Sequence, residues 1–260
     1  MPSPSPSRVQ ALYELCKRTF PSSPSSTADA SPSSPPPDHA IPTISSLLDT
    51  ITPADVGLRD DNLEDDGRGF AIGESDLLKY SEMAQPFTYL HVYNCDAFSI
   101  GIFCLPTSVA IPLHDHPGMI VFTKLLYGSM HVKSYDWVEP AVLASSNKPV
   151  RLGKLHKDDV LNAPCPIAVL YPQSGGNIHC VTSLSSCSFL DVVAPNPQYR
   201  FQSDEHFDFL TGQLCSAPTA AARHDKVAHG PDHFAWLETI DEPANMNVRN
   251  GMYAGPIVQV

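Results

Sequence analysis

His114 and His116, in the run I-P-L-H-D-H-P-G (111–118), are the residues whose type and spacing most directly suggest chemistry. Side chains alternate faces along a β-strand, so these two imidazoles point one way and Asp115 the other. Two imidazoles on one wall can share a metal ion, and neutral imidazole suits iron, zinc, copper or nickel. A lone His-x-His is equally compatible with surface histidines or a buried pair with satisfied hydrogen bonds. The neighbours favour ligation, because Pro112, Pro117 and Gly118 bracket the motif and restrict its backbone. Further along comes Y-P-Q-S-G-G-N-I-H-C (171–180), in which Gly175 and Gly176 permit a tight turn and His179 alternates with apolar Ile178. His179 is the expected third ligand.

Other candidates are weaker. His91, His131, His156 and His206 lack a partner at ligand spacing and read as structural or surface residues. His224, His229 and His233 lie in a stretch punctuated by Gly, Pro and Asp, without a matched pair. Cys95, Cys104, Cys165, Cys180 and Cys187 alternate with apolar residues, as buried thiols used for packing do. Cys180 follows His179 directly, so on a strand it faces away from the ligand side. No G-x-G-x-x-G, P-loop or nucleophile elbow is present, which removes support for nucleotide-binding and serine-hydrolase readings. With Lys+Arg 16 against Asp+Glu 28 the net charge is −12, the wrong sign for tracking phosphates, so no nucleic acid is expected as a ligand. No apolar run approaches the roughly 18–20 residues of a membrane helix, so no membrane is expected as a partner. The start, MPSPSPSRVQ, lacks the order of a secretory signal, and the expected address is cytoplasmic and nuclear, with the cysteines as thiols.

The elements that must position these histidines are short strands. YLHVYNC (89–95), AFSIGIFC (97–104), MIVFTKLL (119–126), MHVKSY (130–135), IAVLY (167–171), IHCVTS (178–183) and CSFLDVV (187–193) are rich in β-branched and aromatic residues and separated by turn formers. Such a series predicts an antiparallel sandwich or barrel. The strands fade after Pro195, although HFAWLETI (233–240) and GMYAGPIVQV (251–260) could return to the domain. Upstream, Val9, Leu12, Tyr13, Cys16 and Phe20 recur at helical spacing, as do Ile41, Ile44, Leu47, Leu48 and Ile51 before Pro53. Between them PSSPSSTADASPSSPPPD (21–38) is too polar to bury a core and reads as a disordered linker. The expected division is a tail over 1–40, with one short helix and that linker, followed by a single domain over 41–260. RDDNLEDDGRG (59–69) reads as a solvated loop.

The two histidine blocks, in this order and on short strands, resemble the paired motifs of the cupin superfamily. The resemblance implies a mainly β fold, a cupin-type double-stranded β-helix (jelly-roll barrel) with N-terminal helices. The general cupin pattern carries a glutamate shortly after His-x-His, whereas Pro117 to Phe122 contain no carboxylate. Three neutral imidazoles leave a mononuclear Fe(II) at net charge +2, open to an anionic thiolate and dioxygen. That departure is characteristic of thiol dioxygenases. VQALYELCKRTF (9–20), LLDTITPADVGL (47–58), YLHVYNCDAFSIGIFCLP (89–106), IPLHDHPGMIVFTKLLYGSMHVKSYDW (111–137), YPQSGGNIHC (171–180) and FLDVVAP (189–195) further resemble the plant cysteine oxidases and cysteamine dioxygenase.

That family implies Fe(II) as cofactor, held by His114, His116 and His179, and O2 oxidation of the N-terminal cysteine of protein or peptide partners to the sulfinic acid. The sulfinic acid is effectively irreversible, and in the family it feeds an N-terminal degradation route that reports oxygen in the hypoxia response. Asp191 matches a functionally important family position. If 178–183 and 187–193 form a hairpin about Ser185, Asp191 sits opposite His179, with Cβ atoms about 4.5–5.5 Å apart, and can hydrogen-bond it. Tyr199, in A-P-N-P-Q-Y-R-F, is displaced from the Pro-Pro-Tyr tyrosine of the family and is carried over as a candidate catalytic residue. A monomer is the expected state. Two alternatives stay open: a dioxygenase of free small thiols, cysteamine or cysteine, and a non-catalytic cupin whose histidines hold zinc or nothing.

Overall fold

A computed structural model describes residues 6–20, 39–58, 86–143, 150–196, 208–215, 233–241, 243 and 246–260. The helix read at the start is α1 (Arg8–Thr19), capped by the Ser7 side chain, which accepts from the Gln10 N–H at 3.1 Å, and closed by Lys17 and Arg18 at its negative end. The second is α2 (Ala40–Thr50), followed by a single 3₁₀ turn at Pro53–Val56 whose Thr52 and Asp55 form a capping box. The linker 21–38 and the acidic run 59–69 lie outside the described residues.

The strands are β1 (Phe87–Asn94), β2 (Ser99–Leu105), β3 (Ala110–Asp115), β4 (Ile120–Tyr127), β5 (Ser129–Leu143) and β6 (Val150–Asn162). They continue as β7 (Ala168–Leu170), β8 (Ile178–Ser183), β9 (Cys187–Ala194), β10 (Asp208–Cys215), β11 (Phe234–Ile240) and β12 (Val248–Gly251). One sheet runs β12-β1-β2-β9-β4-β7; the other, β10-β11-β6-β5-β8-β3, closes on itself through β3 and β10. Three long or late strands were absent from the sequence reading. β6 carries Lys154, Lys157, Asp158 and Asp159, which mask its alternation; β10 pairs with β11 and β3, and the four-residue β12 pairs with β1.

Alternation along the strands sorts the apolar side chains into three layers. Ile100, Ile102, Phe122, Leu190 and Val192 face outward from the first sheet and pack with Val9, Leu12, Tyr13 and Cys16 of α1 and Ile44 and Leu48 of α2. Four fully or almost fully buried residues thus tie α1 to the body, and Arg8 adds an ion pair to Asp55 at 2.7 Å. α2 is pinned by Asp49, which accepts from the buried Lys124 of β4 at 3.0 Å. Between the sheets lie Leu105, Leu125, Cys187 and Phe189 from one and Ile111, Met130 and Val181 from the other. Tyr135, Ile178, Ala235 and Leu237 fill the ring of the second sheet.

The expected β8–β9 hairpin does not form. β8 pairs with β3 and β5, while β9 pairs with β2 and β4 in the other sheet. Leu184 and Ser185 donate to the Ser129 carbonyl, so Leu184–Ser186 carries the chain from one sheet across to the other. In a two-sheet sandwich this gives two neighbours in sequence their own partners on separate sheets, an arrangement the hydrophobic pattern of either strand alone permits. Among the described residues no helix is long and apolar enough to cross a membrane.

Candidate metal centre

β3 and β8 lie side by side with His114 opposite His179 in register, and His116 follows immediately after β3 ends. Ring centroids are 4.4 Å apart for His114 and His179, 5.0 Å for His114 and His116, and 5.2 Å for His116 and His179. One nitrogen from each comes within 4.8 Å of the others, close enough for a single ion to span all three. Val181, two residues from His179, belongs to the layer between the sheets, so the imidazoles point into the same interior.

The tautomers follow from backbone contacts. His114 Nδ1 lies 2.8 Å from the Pro112 carbonyl and His179 Nδ1 lies 3.2 Å from the Asn177 carbonyl. A carbonyl can only accept, so both rings carry their proton on Nδ1 and present Nε2 as the ligand atom. Burial pushes the His114, His116 and His179 pKa values down, with neighbouring imidazoles adding to the effect for His116 and His179; His179 falls to about 3. The three are therefore neutral at physiological pH, the form that binds metal. Three imidazole nitrogens gathered within 4.8 Å fit a dication of the iron, zinc or copper type, with no carboxylate among the three donors.

Asn177 supports this arrangement, and the sequence reading passed over it. Its Oδ1 accepts from the His116 N–H at 2.8 Å, and its Nδ2 donates to the carbonyls of His116 at 3.2 Å and Tyr171 at 2.8 Å. The turn before it needs Gly176 twice over: φ is +80°, and a Cβ there would lie 2.4 Å from Ser134 Oγ. The only signal in the sequence was its place in G-G-N-I-H-C, beside a candidate ligand.

Asp191 occupies a different place from the one expected. It lies on β9 between Gly101 and Thr123, and the main-chain carbonyls of Pro112 and Asn177, rather than its carboxylate, orient His114 and His179. Its side chain faces the interior, like Phe189 two residues before it, 9% exposed, with Oδ1 lacking a partner among the described residues. His179 and Asp191 each lie two residues from a member of the layer between the sheets, Val181 and Phe189, on facing sheets. Burial raises the Asp191 carboxyl to about 7, against a smaller opposite effect from the Thr123 hydroxyl bond. Tyr199 lies outside the described residues, as do His206, His224 and His229. His131 and His156 pair with Asp158 at 2.6 Å and Asp136 at 2.9 Å, as surface roles require. Cys180 Sγ contacts the Lys133 carbonyl at 3.7 Å and takes no part in the cluster.

Inward imidazoles on a two-sheet jelly roll define a metal-binding cupin. Its particular branch is shown by comparison: the PCO_ADO family model matches residues 47–258, and the chain belongs to that family. It is 37% identical to plant cysteine oxidase 1 and 38% identical to plant cysteine oxidase 2 of Arabidopsis thaliana, over 96% of this chain and 80% and 83% of theirs. It is also 31% identical to the human 2-aminoethanethiol dioxygenase, over 42% of this chain and 47% of that protein.

Proposed function

We propose that this protein is a non-haem Fe(II) thiol dioxygenase that uses O2 to oxidise the N-terminal cysteine of protein substrates to cysteine sulfinic acid. The observation that carries this reading is the set of three clustered, neutral imidazoles, two buried and one half-buried, without a carboxylate. His114, His116 and His179 would hold the iron, which supplies open positions and one-electron chemistry for joining an anionic thiolate to O2. The chain's own residues do the rest. Pro112 and Asn177 fix the ring tautomers, and Asn177 clamps the His116 backbone. Phe189, Leu125 and Val181 line the space between the sheets and keep bulk water from it. Asp191, an inward-facing carboxyl on the opposite sheet, would receive or return a proton, as its value of about 7 suits.

Sulfinic acid formation commits the substrate, and the proposal extends to the family's signalling role through N-terminal degradation, with the protein in cytoplasm and nucleus. High coverage by both plant relatives favours a peptide substrate, while the partial match to a 2-aminoethanethiol dioxygenase makes cysteamine the competing choice. The distinguishing experiment compares turnover of a peptide beginning with Cys, its N-acetylated form, free cysteine and cysteamine. The reading expects the free peptide to be fastest and acetylation to abolish the reaction. A preference for cysteamine, or equal rates with the acetylated peptide, would contradict it.

A further inference from the structure

The wall facing the histidines carries a second polar feature, built around a glycine. In the strand register Gly101 stands between His91 on β1 and Asp191 on β9, while Tyr89, two residues before His91, pairs with Phe103. A Cβ on Gly101 would lie 2.4 Å from Tyr89 Cε2, 2.6 Å from its hydroxyl oxygen and 2.8 Å from Cζ. The hydroxyl end of Tyr89 therefore fills the space a side chain at 101 would occupy, beside the Asp191 side chain in the next strand. The ring is held there by Phe103, 5.1 Å away between centroids, which stacks in turn on Phe189 at 5.1 Å.

Asp191 Oδ1 is buried without a partner among the described residues, although the carboxyl already takes a hydrogen bond from Thr123. A buried acceptor left unpaired is costly, and it points to a donor that arrives with a ligand. The ligand must also reach the three imidazoles on the opposite wall. A 2-aminothiol has the required chemistry at both ends: a thiol for the histidine side and a primary ammonium for the carboxyl side. We propose that Tyr89 and Asp191 together form the subsite for the substrate's α-amine, with the ammonium donating to Asp191 Oδ1 and to the Tyr89 hydroxyl oxygen. Tyr89 is then a specificity-determining residue, and Gly101 is the residue that makes room for it. This inference rests on the thiol-dioxygenase reading and sharpens it, because it separates amine recognition from thiol recognition.

Tyr89→Phe tests it, since the variant keeps the ring against Phe103 and removes only the hydroxyl. Iron-loaded wild type and variant are titrated calorimetrically under nitrogen with two peptides. One begins with Cys; the other carries 3-mercaptopropionyl in its place, keeping the thiol and lacking the amine. The expected result is about a tenfold rise in Kd for the Cys peptide in the variant and a change within about twofold for the other, the size of one hydrogen bond to a charged group. Unchanged Kd for both peptides, or an equal loss for both, would overturn the assignment. Failure of the dioxygenase reading shows separately, as absence of peptide oxidation by the wild type in air.

Discussion

A proton and a metal ion compete for the same lone pair on each site imidazole. Burial keeps His114, His116 and His179 in the unprotonated form, so the competition favours metal at neutral pH. His114→Ala or His179→Ala removes one of three donors, and metal analysis of either purified variant should find little bound iron and no thiol oxidation. Full occupancy in His114→Ala would contradict the site. Asp191 follows a different logic, because its folded value of about 7 stands above the ordinary 3.8. The metal-free folded state thus binds more protons than the unfolded chain between those values. Its contribution to stability is full below about pH 4, falls as pH rises and is lost above about 7. Asp191→Asn removes that dependence. Thermal melts of the metal-free proteins should show wild type losing stability relative to the variant from pH 4 to 8, on the order of 1–4 kcal/mol. With iron loaded, Asp191→Asn should retain most of the metal and lose much of its turnover; wild-type kinetics would count against a catalytic role.

At the scale of elements, what local pattern determines was readable and what depends on pairing was not. Alternation along 111–116 and 178–183 placed three imidazoles on one side, and the spacing of Val9, Leu12, Tyr13 and Cys16 identified the buried face of α1. The bounds of β8 and β9 are legible in their apolar runs, whereas their partners are not, since each strand's alternation is satisfied equally by a hairpin or by facing sheets. The facing-sheet pairing puts Asp191 on the sheet opposite His179 rather than beside it. Tyr89 was invisible for the same reason, as its closeness to Asp191 arises only when β1, β2 and β9 align. α1 also yields a prediction. Leu12 is fully buried among Tyr13, Phe98 and the α2 residues, so Leu12→Ala should cost about 2–5 kcal/mol in chemical unfolding. Its iron content at low temperature should match wild type, because the helices pack on the outer face of the sheet and the site lies inside.

The molecule as a whole places reactive chemistry between two sheets while helices and the C-terminal segment brace the outside. Gln259 and Gln10 exchange hydrogen bonds, Gln259 N–H to Gln10 Oε1 at 2.8 Å and Gln10 Nε2 to the Gln259 carbonyl at 2.9 Å, joining the far ends of the described chain. Tyr253 and Val258 pack against the helix-facing layer, and β12 adds a parallel edge to β1. These contacts brace the outside of the first sheet, and the central claim concerns what happens between the sheets. The most direct measurement is mass spectrometry of a peptide beginning with Cys after incubation in air with the iron-loaded protein. The account predicts a gain of two oxygens, about 32 Da, located on the N-terminal cysteine as the sulfinic acid. A peptide recovered unchanged from protein shown to hold iron, or converted only to its disulfide, would contradict it.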